Sequence, residues 1–430
     1  MVGAWASDLF GRKWLIACGL VVTYASVTVE VVATTMPVFF AGKTANGIAL
    51  GIYASVAVTY ISEVNDPTGI GSVDKILILT ISQIAPHPLR GVMTALVALA
   101  FVFGPFIVTL IVNGTGTESS RWAYRAVFCA QYGVAFFSTI AWPFMPESPW
   151  WLMSKNRVED AVKTFRRFGK SEIHARNQVA LIQRTLDESR RETAGASYLE
   201  CFRRSNLRRT IISIAPLSIQ AFCGITWVIN YTAYYLQLAG YSAHQSFQIQ
   251  IAQVVVCMIG NIHSWFLIDR FGRRPVTIYG LAALTTMLLL TGGLATVRTH
   301  SCTVGTVALL VLYCWVYNLT IGATAYALVG ETSTPRLRAK TVAIGLTLQN
   351  GLYLMWAFVL PYLFNPDKAN LGARVTFIFG GLSVLSLVYL WFYQPETANR
   401  SFQELDEMFV KKVPARKFKG YQTEVGARSY

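Results

Sequence analysis

Read along its apolar and polar positions, the chain is a series of ten mostly apolar runs, at 14–35, 46–63, 92–113, 124–145, 210–239, 246–268, 275–297, 304–329, 340–363 and 374–394. Each is about 20 residues long, which as a helix crosses a hydrocarbon layer about 30 Å thick. The pattern therefore predicts ten membrane-spanning helices in an all-α membrane protein. Polar connections divide the runs into a first membrane half over 1–145, a central loop over 146–209, a second membrane half over 210–394 and a tail over 395–430.

Composition supports the bilayer as solvent: 53% of the 430 residues are hydrophobic and 14% are charged, against about 25% charged in a soluble domain. The formal charge of +15 raises the question of nucleic acid, which the placement of the cations argues against. Residues 11–13, 270–274, 336–340 and the tail from Arg400 are basic, and Pro146 to Arg209 holds 14 Lys and Arg against 8 Asp and Glu. If each run crosses once, all these segments fall on one side, so the positive-inside rule makes that side and both termini cytoplasmic. A multi-pass protein of the plasma membrane is expected, embedded in lipid, monomeric and without a nucleic-acid partner. The seven cysteines include no CxxC and no paired spacing, and read as small core residues. The first ten residues carry no basic segment leading into a short apolar core, so no cleaved signal peptide is expected.

The two halves repeat each other. Asp8-Leu9-Phe10-Gly11-Arg12-Lys13 recurs as Asp269-Arg270-Phe271-Gly272-Arg273-Arg274, Glu63 is echoed by Glu331, and Pro146-Glu147-Ser148 by Pro395-Glu396-Thr397. One spacing disagrees, since Glu331 precedes Arg338 by 7 residues whereas Glu63 precedes Arg90 by 27. Removing the 20 residues Val64–Gln83 repairs this spacing and the one from Glu63 to Pro146. The segment starts with Val, whose codons begin GT, and ends with Gln, which CAG encodes; it reads either as a translated retained intron or as a loop insertion. The repeat also shows 59 residues in the spans before Asp269, at 210–268, but only seven residues before Asp8. The expectation is a twelve-span layout with about ten spans present, the N-terminal spans being missing. Transport is expected to need both the missing spans and removal of 64–83.

A tight turn between two spans needs Gly11 and Gly272 for positive φ, and cations beside them hold the turn inside. The paired DxxGR turns, with Pro146-Glu147-Ser148-Pro149-Trp150-Trp151-Leu152 and Pro395-Glu396-Thr397, resemble the sugar porter family of the major facilitator superfamily over nearly the whole chain outside 64–83. Gly330 to Lys340 and Pro361 to Pro366 look most like fungal maltose and α-glucoside permeases. The resemblance implies a major facilitator fold of two pseudo-symmetric helical halves. It also implies a cytoplasmic charge latch of Asp8, Gly11, Arg12, Glu63, Arg90 and Glu147 in the first half, and Asp269, Gly272, Arg273, Arg274, Glu331, Arg338 and Glu396 in the second. The alternative is that these residues set topology only.

By the same resemblance, sugar binding is expected near the midplane of the bilayer. Gln220 matches the first Gln of the family's QQxxG pattern, the second being Ala221, and Thr226 stands where the family has Asn. Gln220 could equally join two helices by a hydrogen bond. Tyr326 occupies the place of a sugar-stacking Trp, and Gln349 and Asn350 match polar binding positions. Asn230, Tyr231, Tyr234 and Tyr235 resemble a gating aromatic cluster, or pack as interface anchors. Ala98 replaces a family Gln, so the site is biased toward the second half, or the sugar is not a hexose. Lys43 is either a pathway cation or a snorkelling one, and Glu30 either takes part in proton coupling or makes an interior hydrogen bond.

The expected function is uptake of a sugar, maltose or another α-glucoside or a hexose, by alternating access and proton symport, without a cofactor. A non-transporting sugar sensor, or an inactive truncated transporter, is the alternative. No glycine-rich nucleotide loop, HExxH or hydrolytic triad suggests an enzyme.

Overall fold

In the computed structural model, residues 6–7, 9–65, 90–116, 120–167, 171–193, 197–297, 299–334, 337–398, 400, 402–421 and 423 are described. The predicted insertion 64–83 lies outside them except for Val64 and Asn65, as does Asp8; of Glu63, Arg90 and Asp269 only the backbone is described. No strand occurs among the described residues.

Every apolar run predicted above is helical. The helices are α1 (Arg12–Val32), α2 (Met36–Asn65), α3 (Arg90–Thr115), α4 (Trp122–Ala141), then α5 (Pro149–Ser154), α6 (Val158–Arg167) and α7 (Glu172–Thr193) in the central loop. After these come α8 (Arg204–Phe222), α9 (Ile225–Leu238), α10 (Ala243–Phe271), α11 (Arg273–Leu294), α12 (His300–Leu319), α13 (Ile321–Thr332), α14 (Arg338–Phe364), α15 (Thr376–Tyr393) and α16 (Phe402–Val410). Among the described residues eight helical segments are long and apolar enough to cross a membrane. Two runs that read as single helices are each broken: α8 and α9 meet at Gly224, which is left-handed at φ 83°, and α12 and α13 meet at Thr320, at φ −119° and ψ −101°. The second run is also longer than its apolar limits, its helix starting at Met36.

The chain divides into two compact units, residues 1–97 with 110–194, and 98–109 with 195–430. In the first, α1 packs along α2 and α4 with small residues and hydroxyls at the contact. A methyl group on Gly19 would lie 2.8 Å from Tyr53, and on Gly42 2.9 Å from Cγ of Glu30. Thr23 bonds Tyr53 at 3.0 Å, and Thr28 bonds Tyr132 at 2.7 Å. Lipid tails are as apolar as the helices, so such close approach and interhelical hydrogen bonds supply the attraction that water would supply to a soluble core. The loop helices α5 to α7 make their own small core around Trp150, Leu152, Val162, Phe165 and Ile182. The Ser148 hydroxyl starts α5 by accepting from the Trp151 amide at 3.3 Å, with Pro149 at the first helical position.

The core of the second unit gathers Trp227, Leu281, Leu284, Leu310, Tyr313, Phe364 and Phe379. Outside it, Phe266, Phe358 and Leu385 stand largely exposed, a distribution that suits helices surrounded by lipid. The tail folds back as α16 and a turn over Ala415–Gly420, around Leu405, Met408, Val413 and Phe418.

Candidate functional site

Helices α1 and α11 begin identically. Their N-cap residues, Gly11 (φ 94°, ψ 159°) and Gly272 (φ 88°, ψ 168°), carry no side chain that could accept from the first amides of the helix. A remote glutamate does so instead. In the first unit the Glu147 carboxylate accepts from the amides of Arg12 at 2.9 Å, Lys13 at 3.2 Å and Ser148 at 3.0 Å. In the second the Glu396 carboxylate accepts from Arg273 at 3.1 Å, Arg274 at 3.2 Å, and Thr397 and Ala398 at 3.0 Å each. A carboxylate at a helix N-terminus satisfies orphan amides and faces the positive end of the dipole. The glycines are needed twice over: their backbone conformation belongs almost only to glycine, and a Cβ would lie 2.6 Å from Glu147 Oε2 at Gly11 or 2.9 Å from Glu396 Oε2 at Gly272.

The second unit extends this cap into a network. Glu331, at the end of α13, pairs with Arg273 through Nε and a terminal nitrogen, both at 3.3 Å, and its other oxygen accepts from the Thr397 hydroxyl. Arg274 donates to the carbonyls of Gln394 at 2.8 Å and Trp391 at 3.0 Å, where α15 ends. Arg209, on α8, donates to the carbonyls of Thr332 at 2.7 Å and Ser333 at 3.3 Å and pairs with Asp406 of α16. Cations thus close the C-terminal ends of α13 and α15, where exposed carbonyls carry the negative end of the dipole. Arg338 is buried at the start of α14, and Arg12 is buried and donates to the Ser7 carbonyl at 3.0 Å. Arg209, Thr397 and Asp406 were not singled out in the sequence. Thr397 lies within the quoted Pro-Glu-Thr motif, whereas Arg209 is one basic residue among 14 in its loop and nothing local marks it.

The polar residues expected to bind substrate separate into two groups. Gln220 is 1% exposed, donates to the carbonyls of Ile321 at 2.8 Å and Gly322 at 3.2 Å, and accepts from Gln349 at 2.5 Å. Those two carbonyls belong to the break between α12 and α13. Gln349 also lies 3.5 Å from the hydroxyl of Tyr353, one turn further along α14. The result is a pair of buried amides beside the half-buried Tyr353, in which Gln220 has the interhelical bond of the alternative reading; Tyr326, half-buried on α13, packs against Leu217, Ala325, Val329 and Val342. The second group stands apart. Asn350 is exposed and bonds its own helix at the Leu346 carbonyl, 2.9 Å away; Asn230 is exposed and Thr226 half-buried on α9. Tyr231 and Tyr234 pack against Phe364 with ring centroids 5.7 and 5.5 Å away, and Tyr235 lies 6.3 Å from Trp227.

Two charges noted separately in the sequence form one pair. Glu30, 0% exposed near the end of α1, has Oε2 at 3.2 Å from Lys43 Nζ, and that lysine side chain is 42% exposed. Lys43 also stands over the ring of Phe128, 4.3 Å from its centroid. Asn46 donates to the other carboxylate oxygen at 3.2 Å and to Gln131 of α4 at 3.0 Å.

Comparison with known proteins bears on the family and the fold. The pattern of the "Sugar (and other) transporter" family matches residues 1–70 and 68–409, two stretches that meet inside the predicted insertion. The alpha-glucosides permease MPH3 of Saccharomyces cerevisiae is 29% identical over 426 residues, covering 97% of this chain and 67% of its own length. The maltose permease MAL31 of the same yeast is 27% identical over 425 residues, covering 97% and 66%. This chain thus spans about two thirds of the length of the curated relatives it matches. Among solved structures, the inward-open form of the xylose transporter XylE from E. coli superposes with a TM-score of 0.72 at 19% identity, over 94% of this chain and 84% of that one. XylE bound to 6-bromo-6-deoxy-D-glucose superposes with a TM-score of 0.69 at 20% identity, over 95% and 85%. The shared fold is that of the major facilitator superfamily.

Proposed function

This chain belongs to the sugar transporter family of the major facilitator superfamily, and on that premise we propose that it takes up a maltose-type α-glucoside or a hexose by proton symport and alternating access. The observation that supports the substrate class best is the pair of buried amides Gln220 and Gln349 with the half-buried Tyr353 beside them. Amides and phenols both donate and accept, as sugar hydroxyls do, and tyrosine adds apolar surface for the sugar ring. The names of the yeast relatives favour an α-glucoside. By the positive-inside rule the proposed orientation puts Gly11, Gly272 and both termini in the cytoplasm of a plasma-membrane protein that works as a monomer.

Uptake of labelled maltose and glucose in a transporter-null yeast tests the reading. Saturable uptake of either supports it, and its absence from cells that display at their surface both this chain and a form extended at its N-terminus and lacking 64–83 counts against it. Gln220→Ala removes one hydrogen bond to a sugar hydroxyl, worth about 0.5–1.5 kcal/mol between neutral groups, so sugar affinity is expected to fall about twofold to tenfold. Unchanged affinity together with lowered thermal stability would leave Gln220 as the clasp of the α12–α13 break alone.

Proton coupling is assigned to Glu30. A carboxylate withdrawn from water inside a membrane protein is costly and marks an ion or proton route, and Lys43 gives this one a half-exposed partner. Glu30→Gln is expected to keep sugar exchange across the membrane while losing accumulation against a gradient. Counterflow and accumulation assays separate the two, and full accumulation by the variant would remove Glu30 from the coupling.

A further inference from the structure

An open cavity of about 660 Å³ lies at the foot of α1, walled by Lys13, Trp14, Trp151, Lys163, Arg166 and Arg167. It serves neither the substrate cluster nor the Glu30–Lys43 pair. Its lining also includes Arg157 and two carboxylates, Glu147 and Asp160, so five cations face two anions. Both anions are engaged. Glu147 caps α1, and Asp160 accepts from Arg157 at 2.7 Å and Lys163 at 3.3 Å; these bonds hold the Asp160 carboxyl below its usual range, Arg157 having the larger effect. Positive charge remains in excess, with Arg166 and Arg167 in the last turn of α6, Arg166 lying 3.8 Å from the half-exposed carboxylate of Glu172 outside the cavity lining.

Two cations at the end of a helix are ordinary complements of its dipole. That does not account for a cavity, for Lys13 on a different helix, or for two tryptophans in the wall. Trp14 is 61% exposed and meets Trp142 edge-on at 5.6 Å, and Phe144 beside them is exposed. Tryptophans at the first residues of a spanning helix mark the level of the lipid head groups. Basic pockets at that level on the cytoplasmic side hold anionic head groups.

We propose that this cavity binds a multiply phosphorylated anion, delivered as the head group of an anionic membrane lipid. Arg166, Arg167 and Lys163 contact the phosphates, and Trp14 and Trp151 lie along the glycerol and upper acyl chain. The site requires no particular transported sugar.

The test is a binding titration of the purified full chain in neutral detergent with dioctanoyl phosphatidylinositol bisphosphate, dioctanoyl phosphatidylcholine and soluble inositol trisphosphate. The bisphosphate lipid is expected to bind at least about tenfold more tightly than phosphatidylcholine or the soluble inositol phosphate, with affinity falling as salt rises. The triple variant Lys163→Gln/Arg166→Gln/Arg167→Gln should lose this preference at unchanged thermal stability, because the buried face of α6, Ala161, Val162 and Phe165, is untouched. Arg166→Lys/Arg167→Lys should retain most of it. Equal binding of phosphatidylcholine, or a triple variant that binds as the parent does, overturns the site. Soluble inositol trisphosphate binding as tightly as the lipid overturns the lipid assignment.

Discussion

Glu396→Ala is expected to lower sugar uptake more than about tenfold and to lower the unfolding temperature of the purified protein by roughly 5–10 °C. The carboxylate accepts four backbone amides, those of Arg273, Arg274, Thr397 and Ala398, and stands beside Gly272, which has no side chain to replace it. Removing one partner of a buried charged network typically costs about 3–5 kcal/mol. Water could reach some of the freed amides, which limits the loss. Glu396→Gln separates charge from shape. It keeps one acceptor oxygen for Arg273, Thr397 and Ala398 but turns an NH₂ group toward the Arg274 amide, so it should fall between the parent and the alanine variant. Glu147→Ala removes the equivalent cap from the first unit, where three amides depend on it, and should follow the same pattern more mildly. An alanine variant at Glu396 with parental melting and uptake would show that the turn holds without its carboxylate.

Arg273→Ala and Glu331→Ala are each expected to reduce uptake about tenfold or more while surface expression falls much less. Arg273 alone leaves Glu331, 8% exposed, with the Thr397 hydroxyl as its described partner. Glu331 alone leaves the guanidinium of a residue at the very start of α11 without its carboxylate. If the pair regroups during transport, losing both charges should be less harmful than the two single effects combined, since an uncompensated buried charge is worse than none. Uptake normalised to surface protein, measured for both single variants and the double variant, gives the coupling. Normal transport by well-expressed single variants would reduce these residues to topology determinants.

The first-unit cap was legible in part. Gly11, Arg12 and Glu147 were picked out by the repeat, because a duplicated motif marks residues independently of where they fold. What the motif could not show is that the glutamate accepts backbone amides rather than pairing with an arginine side chain. The substrate residues fared differently. Gln220 and Gln349 meet in one cluster, whereas Asn350, next to Gln349 in sequence, is turned by the 100° step of the helix toward the exposed face and its own backbone.

By itself the sequence determined that the apolar runs are helical, that the two halves repeat each other and that glycines stand at the turns. These are local properties: twenty apolar residues satisfy their backbone within one helix whatever surrounds them, and positive φ is a demand of single residues. Tertiary structure alone decided which groups meet. Glu396 lies 123 residues from the amide of Arg273 that it caps, and Gln220 lies 101 residues from the carbonyl of Ile321. Glu30 and Lys43 are near in sequence yet sit on separate helices, and their approach depends on Gly42, where any side chain would strike Glu30. Pairing of this kind depends on helix breaks and close crossings that periodicity does not encode, because a residue's partner is set by the packing of whole helices and not by its neighbours along the chain.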